Sequence, residues 1–148
     1  VAENKQSTRV FIKQYSSTPH KILCGVFFFI GLAQMIFAPF AKEGSFVIFA
    51  SGFSFSAMAC FVYGINVWKI SSDEEQLHIH YSSGKVKSIP WRDINDIQVV
   101  DWNDGSQKNL SIIYGGVGTY TKTLLVGGEF ASDKIFLERL KGCKRLSL

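Results

Sequence analysis

Two long apolar runs fill the first half of the chain, and a two-residue alternation takes over in the second. Residues 22–40 and 46–68 give 19 and 23 consecutive positions without a charged side chain, parted only by Ala41-Lys42-Glu43-Gly44-Ser45. At about 1.5 Å per residue these runs make helices of roughly 28 and 34 Å, close to the ~30 Å hydrocarbon core of a bilayer. They predict an integral membrane protein built on a helical hairpin. The first run is longer than the roughly 7–15 residues of a signal-peptide core, so a retained span is expected. Pro39 stands in its last turn, where it helps to end the helix.

Beyond Trp68 the period changes. Leu77, Ile79 and Tyr81 alternate with His78, His80 and Ser82, which predicts a strand. Ser83-Gly84 reads as a turn and residues 85–89 as the returning strand. Pro90 bends the chain, because it cannot sit in the middle of a ladder. A further strand runs through Ile97, Val99, Val100 and Trp102 to Asn103-Asp104-Gly105. Two more occupy residues 110–114 and 120–126, with the glycine-rich loop 115–119 between them. Residues 132–141 read as a helix with Phe136, Leu137 and Leu140 on one face and Gly142 as its C-cap. The predicted fold class is α+β: an N-terminal transmembrane helical hairpin, then an antiparallel sheet or partial barrel closed by a C-terminal helix. The expected divisions are a tail over 1–21, the hairpin over 22–68 and a soluble module over 69–148. In the tail Val10, Phe11 and Tyr15 recur at helical spacing, so it reads either as a short surface helix or as a flexible segment.

Charge adds an orientation. Lys5, Arg9, Lys13 and Lys21 stand against Glu3 ahead of the first run, a balance of +3, while the loop between the runs is neutral. The positive-inside rule then puts both termini in the cytoplasm, with Lys13, Lys21 and Lys69 at the membrane surface and Tyr63 and Trp68 in the aromatic belt. Residues 69–148 carry eleven Lys or Arg against ten Asp or Glu. So even a balance argues against nucleic acid as a partner, which calls for a strongly basic face.

Within the runs, Gly52, Ser56, Cys60 and Gly64 recur every four residues, a small-residue face suited to close helix approach. It reads as packing against the first span, or as docking another membrane subunit as well. Gln34 lies near mid-span, where its amide is expected to find a partner.

Little in the sequence carries chemistry. Cys24, Cys60 and Cys143 have neither disulfide-framework nor zinc spacing. His78 and His80 share a strand face, but a metal site needs three or four ligands. The loop after Tyr114 lacks the GK[ST] ending of a phosphate loop. Asp73-Glu74-Glu75 and Asp101/Asp104 read as solvated turn carboxylates. No nucleophile elbow announces a Ser/His/Asp arrangement. No catalytic residue, metal or cofactor is expected.

The helical hairpin followed by Trp68-Lys69-Ile70, Leu77-His78-Ile79-His80 and Ile89-Pro90-Trp91-Arg92-Asp93-Ile94 resembles the bacterial pleckstrin-homology-like (bPH) membrane proteins over about residues 22–142. The resemblance implies that Trp91 and Ile94 tuck into a PH-like barrel while Arg92 and Asp93 stay at the surface. It also implies a non-enzymatic protein of the bacterial inner membrane. The expected function is a membrane-anchored protein-interaction module: an accessory subunit, assembly factor or regulator of a membrane complex. Its expected partners are another membrane protein and membrane lipids, with a homo-oligomer left open. Arg92, Trp102, Tyr114 and Tyr120 are the expected contacts, since aromatic and Arg side chains dominate interface energies, and a sheet edge could take a partner strand. The alternatives are an anionic-lipid sensor using Lys85, Lys87 and Arg92, and an immunity-type protein that neutralises a membrane toxin.

Overall fold

The computed structural model describes residues 10–16, 18–102, 107–116 and 120–145, apart from the side chains of Trp102 and Gln107. The chain divides into two compact units. Residues 16–66 form a helical hairpin, and the segments on either side of it fold together into a unit of sheets and helices. In chain order the elements are β1 (Phe11–Gln14), α1 (Thr18–Phe37), α2 (Ser45–Ile65), β2 (Val67–Ser72), β3 (Gln76–Tyr81), β4 (Val86–Pro90), β5 (Ile94–Trp102), β6 (Gln107–Tyr114), β7 (Lys122–Val126), α3 (Gly128–Ser132) and α4 (Lys134–Arg145). Short 3-10 turns lie at Ala38–Phe40 and Trp91–Asp93.

Both helices of the hairpin are long and apolar enough to cross a membrane, with mean hydropathies of 2.1 and 1.8. Only 17% of the residues in the apolar 18-residue stretch of each are buried within the structure, unlike the core helix of a globular domain. Phe29, Phe46, Phe53 and Phe61 point outward. The buried residues of the two helices are small: Cys24 and Gly31 on α1 and Gly52, Ser56 and Ala59 on α2. A Cβ at Gly31 would stand 2.5 Å from the Gly52 carbonyl oxygen, and one at Gly52 would stand 2.5 Å from that of Gly31. The backbones meet there, and no side chain fits between them. The Ser56 hydroxyl donates to the Phe28 carbonyl (3.3 Å), and that of Ser51 donates to Gln34 Oε1 (3.5 Å). Of the expected small-residue face, Gly52 and Ser56 lie on this seam, but Cys60 is exposed and Gly64 has open space beside it. Helical geometry explains the split. Seven residues bring an α-helix back to within about 20° of its starting face, whereas eight overshoot by roughly 80°, so Ala59 takes the third position.

In the second unit all strand pairings are antiparallel, in a four-stranded sheet of order β1-β2-β3-β4 and a three-stranded sheet β5-β6-β7. Leu77 and Ile79 of β3 are wholly buried while His78 and His80 take the other face, as alternation dictates. Val67 and Ile70 are both buried although their odd spacing would put them on opposite faces. A register shift between Val67 and Lys69 restores them to one side. The same device between Ile94 and Asp96 lets Ile94 and Ile97 both face inward. Pro90 ends β4, an edge strand, opposite Gln76. Trp91 then turns in, 2% exposed, and its indole N–H donates to the Asp73 carbonyl (3.1 Å). Inward side chains of both sheets and of α3 and α4 make one core. Among the described residues no buried side-chain polar atom lacks a hydrogen-bond partner.

Two sequence expectations differ from this unit. The tail expected over residues 1–21, whether flexible or a surface helix, is a strand over Phe11–Gln14, paired from Phe11↔Ser72 to Gln14↔Lys69. Its pattern is a strand's: Phe11 is buried and Ile12 exposed. The partner that selects the strand lies beyond the helical hairpin, out of reach of local periodicity. Gly142, expected as a C-cap, lies inside α4, which continues to Arg145 because Cys143 is buried in the core. At the other end of α4, Asp133 accepts the Phe136 N–H (3.0 Å), a side-chain cap.

Candidate functional site

The four-stranded sheet has two ends of different character. At one, Gln14 and Lys69 are opposite each other, the Tyr15 N–H donates to the Trp68 carbonyl (2.9 Å), and the β3–β4 turn carries Lys85. This is the end at which the chain leaves for the helical hairpin and returns from it. Lys69 stands over the Trp68 ring at 5.9 Å. Lys13 is committed elsewhere, in an ion pair with Asp133 that raises its own pKa and lowers that of the carboxylate. Lys21 belongs to α1, where it borders a groove described below.

The far end is built from the Asp73–Glu75 turn and the Trp91–Asp93 turn. The Trp91 N–H donates to the Glu75 carbonyl (2.9 Å), and the Gly115 N–H donates to that of Asp93 (2.8 Å). Gly115, at φ 158°, lies so close to the returning chain that a Cβ would stand 3.0 Å from the Tyr120 carbonyl oxygen. These contacts bring Arg92, Tyr114 and Tyr120 to one end of the molecule's sheets. The Arg92 side chain is 85% exposed, and Tyr120 is 96% exposed. Tyr114 is half-buried, because Lys87 from β4 lies over its ring (4.5 Å) and donates to its hydroxyl. Trp102 is not part of this group. It pairs with Gln107 at the opposite end of β5 from Ile94, roughly 26 Å away at ~3.3 Å per residue. Its side chain lies outside the described residues.

The cations Lys85, Lys87 and Arg92 are likewise separated. Lys85 and Arg92 flank the five residues of β4, roughly 17 Å of strand, and Lys87 is turned onto Tyr114. Sequence spacing cannot show this, since an alternating strand carries neighbours to opposite faces and opposite ends.

No family model, curated protein or solved structure matches the chain.

One constellation went unforeseen. His78 is bonded through Nδ1 to the Ser88 hydroxyl (2.7 Å) and through Nε2 to Asp73 Oδ2 (2.8 Å). Ser88 is the direct cross-strand neighbour of His78, and Asp73 is fixed by the Glu75 and Gln76 N–H groups (2.8 and 2.7 Å). The His78 bond first, and then those backbone donors, hold the Asp73 carboxyl below its ordinary range. The only sign of it in the sequence is a serine ten positions after a histidine across a turn. The three residues lie on an outer sheet face, and they line neither the groove between α1 and α2 nor that between β1 and α4. They act as a polar clasp joining the β2–β3 turn to β4. His80 is bonded to the Ser71 hydroxyl (2.9 Å), and burial, then Lys69 and His78, press its pKa down. Among the described residues no group of three or more His, Cys, Asp or Glu side chains could hold a metal ion.

A groove of about 220 Å³ lies between β1 and α4, bordered by Phe11, Ile12, Lys13, Ile135 and Arg139. Arg139 crosses it to donate to the Val10 carbonyl (3.0 Å).

Proposed function

We propose that the chain is a non-enzymatic, membrane-anchored interaction module, an accessory subunit, assembly factor or regulator of a membrane complex. In this reading α1 and α2 span the bacterial inner membrane, and the sheet unit is a PH-like domain on the cytoplasmic side with both termini. The observation that carries the anchoring is the pairing of β1 with β2. A strand before the helical hairpin joins a strand after it, so a hairpin crossing a bilayer must return to the side it left. This agrees with the side on which positive charge accumulates. The antiparallel strands, the inward Trp91 and Ile94 and the closing α4 support the PH-like reading. Arg92 and Tyr120, exposed together at the far end, are the proposed partner contacts.

The test is a photo-crosslinking residue at position 120 in the full-length protein, in intact membranes. A crosslink to one membrane protein is expected, lost in an Arg92→Ala background. Undiminished co-purification of that partner by Arg92→Ala/Tyr120→Ala would refute the assignment. A second reading, binding of anionic lipid by the sheet unit, is favoured by Lys69 and Lys85 at the end joined to the hairpin, each worth about 1 kcal/mol at an anionic surface.

A further inference from the structure

The seam between α1 and α2 is closed at Gly31 and Gly52 and opens toward the ends of the hairpin that join the sheet unit. There a groove of about 220 Å³ runs between the helices, with Cys24 and Gly25 on one wall and Ala59 and Cys60 on the other. Lys21 and Tyr63 stand at one end of it, and Phe28, two helical turns or about 10 Å away, at the other.

Nothing in the helical hairpin fills this space. The glycines show the contrast. Gly31 and Gly52 lack side chains because the opposing backbone occupies the place, whereas a Cβ at Gly25 would meet nothing within 4 Å. A helical glycine costs about 1 kcal/mol relative to alanine, and packing inside the hairpin does not repay it at Gly25. In a bilayer, where packing itself drives association, an unfilled groove forfeits contacts on both walls. The charge at its mouth narrows the occupant. Lys21 is exposed, and the only carboxylate of the hairpin, Glu43, lies beyond the other end of α1. Lys21 thus presents a cation with no counter-charge in its own unit, and Tyr63 lines the same groove.

We infer that this groove is a site for an anionic phospholipid, its phosphate at Lys21 and Tyr63 and one acyl chain laid along Gly25, Cys24, Ala59 and Cys60. The inference rests on the membrane-spanning reading of the hairpin and is separate from partner binding at Arg92 and Tyr120. A cation at the interface and an apolar trough running inward match a headgroup and the first part of its chain in order.

The test uses the full-length protein in nanodiscs of equal phosphatidylglycerol and phosphatidylcholine, with native mass measurement of retained lipid. The wild type should keep one phosphatidylglycerol in preference to phosphatidylcholine. Lys21→Gln should reduce that preference about fivefold, the worth of one interfacial lysine. Gly25→Leu, whose side chain enters open space, should expel the lipid while leaving helix content unchanged. Equal retention of both lipids, undiminished retention by both variants, or a second polypeptide in the groove would overturn the site. Extraction of the protein from membranes by alkaline carbonate would instead refute the spanning reading, independently of any lipid measurement.

Discussion

The two units of this chain bury opposite kinds of residue. The helical hairpin turns phenylalanine outward and packs glycine, serine and alanine inward. The sheet unit does the reverse, closing Leu77, Ile79, Leu110, Ile112 and Trp91 inside and placing His78 and His80 on the other face of β3. One chain thus follows two packing rules. In the sheet unit removal of apolar surface from water holds the elements together. In the hairpin the outer surface is as apolar as its surroundings would be in lipid, so close backbone contact must do that work.

The comparison can be broken from either side. Trp91→Ala should have the largest effect, about 3–5 kcal/mol lost from the sheet unit, because it empties a core site and orphans the Asp73 carbonyl. The measurement is denaturant unfolding of the full chain in mild detergent. An equally drastic truncation at outward-facing Phe53 should alter stability by no more than about 0.5 kcal/mol. If the two cost the same, the hairpin is packed like a globular core and the contrast fails.

Gly31→Leu comes next, at about 1–3 kcal/mol, since its Cβ alone overlaps the backbone of α2. Disulfide trapping between cysteines placed on facing helix positions would report the separation of α1 from α2. The far-UV signal of the sheet unit should stay.

Acidification should weaken the sheet unit in two stages. His80 has a lowered pKa, so the unfolded chain binds its proton first and stability falls as pH drops below about 6.5. Asp73, Asp96 and Asp133 also have lowered values, so their contribution is complete above about pH 4 and is lost below it, as pH falls through their depressed folded values. His80→Gln should erase the first stage and leave the second, as read from unfolding midpoints across pH. The smallest effect is expected for Arg92→Ala and Tyr120→Ala, within about 0.5 kcal/mol in stability while partner crosslinking is lost.

What the sequence discloses follows the range of the forces that act. The apolar runs and the strand around Leu77 and Ile79 are local patterns and read directly. β1 does not, because four residues acquire a strand conformation only from β2, on the far side of the hairpin. The bulges after Val67 and Ile94 hide their inward residues from a strict two-residue period. The candidate site divides in the same way. Arg92, Tyr114 and Tyr120 come to one end of the sheets through the Trp91–Asp93 turn and the chain at Gly115, and Trp102 is carried off by the length of β5. The clasp of Asp73, His78 and Ser88 depends on register, which only the folded ladder defines.

The β1–β2 pairing also couples the sheet to the hairpin through chain entropy. Fifty-two residues lie between β1 and β2, and joining the strands across a flexible loop of that length would cost about 3.5 kcal/mol in closure entropy, plus a constant. Once α1 and α2 have doubled back on each other, the two strand ends are already neighbours and most of that cost is gone. Pairing of α1 with α2 therefore favours closure of β1 onto β2, which sets Phe11 against Phe136 in the core.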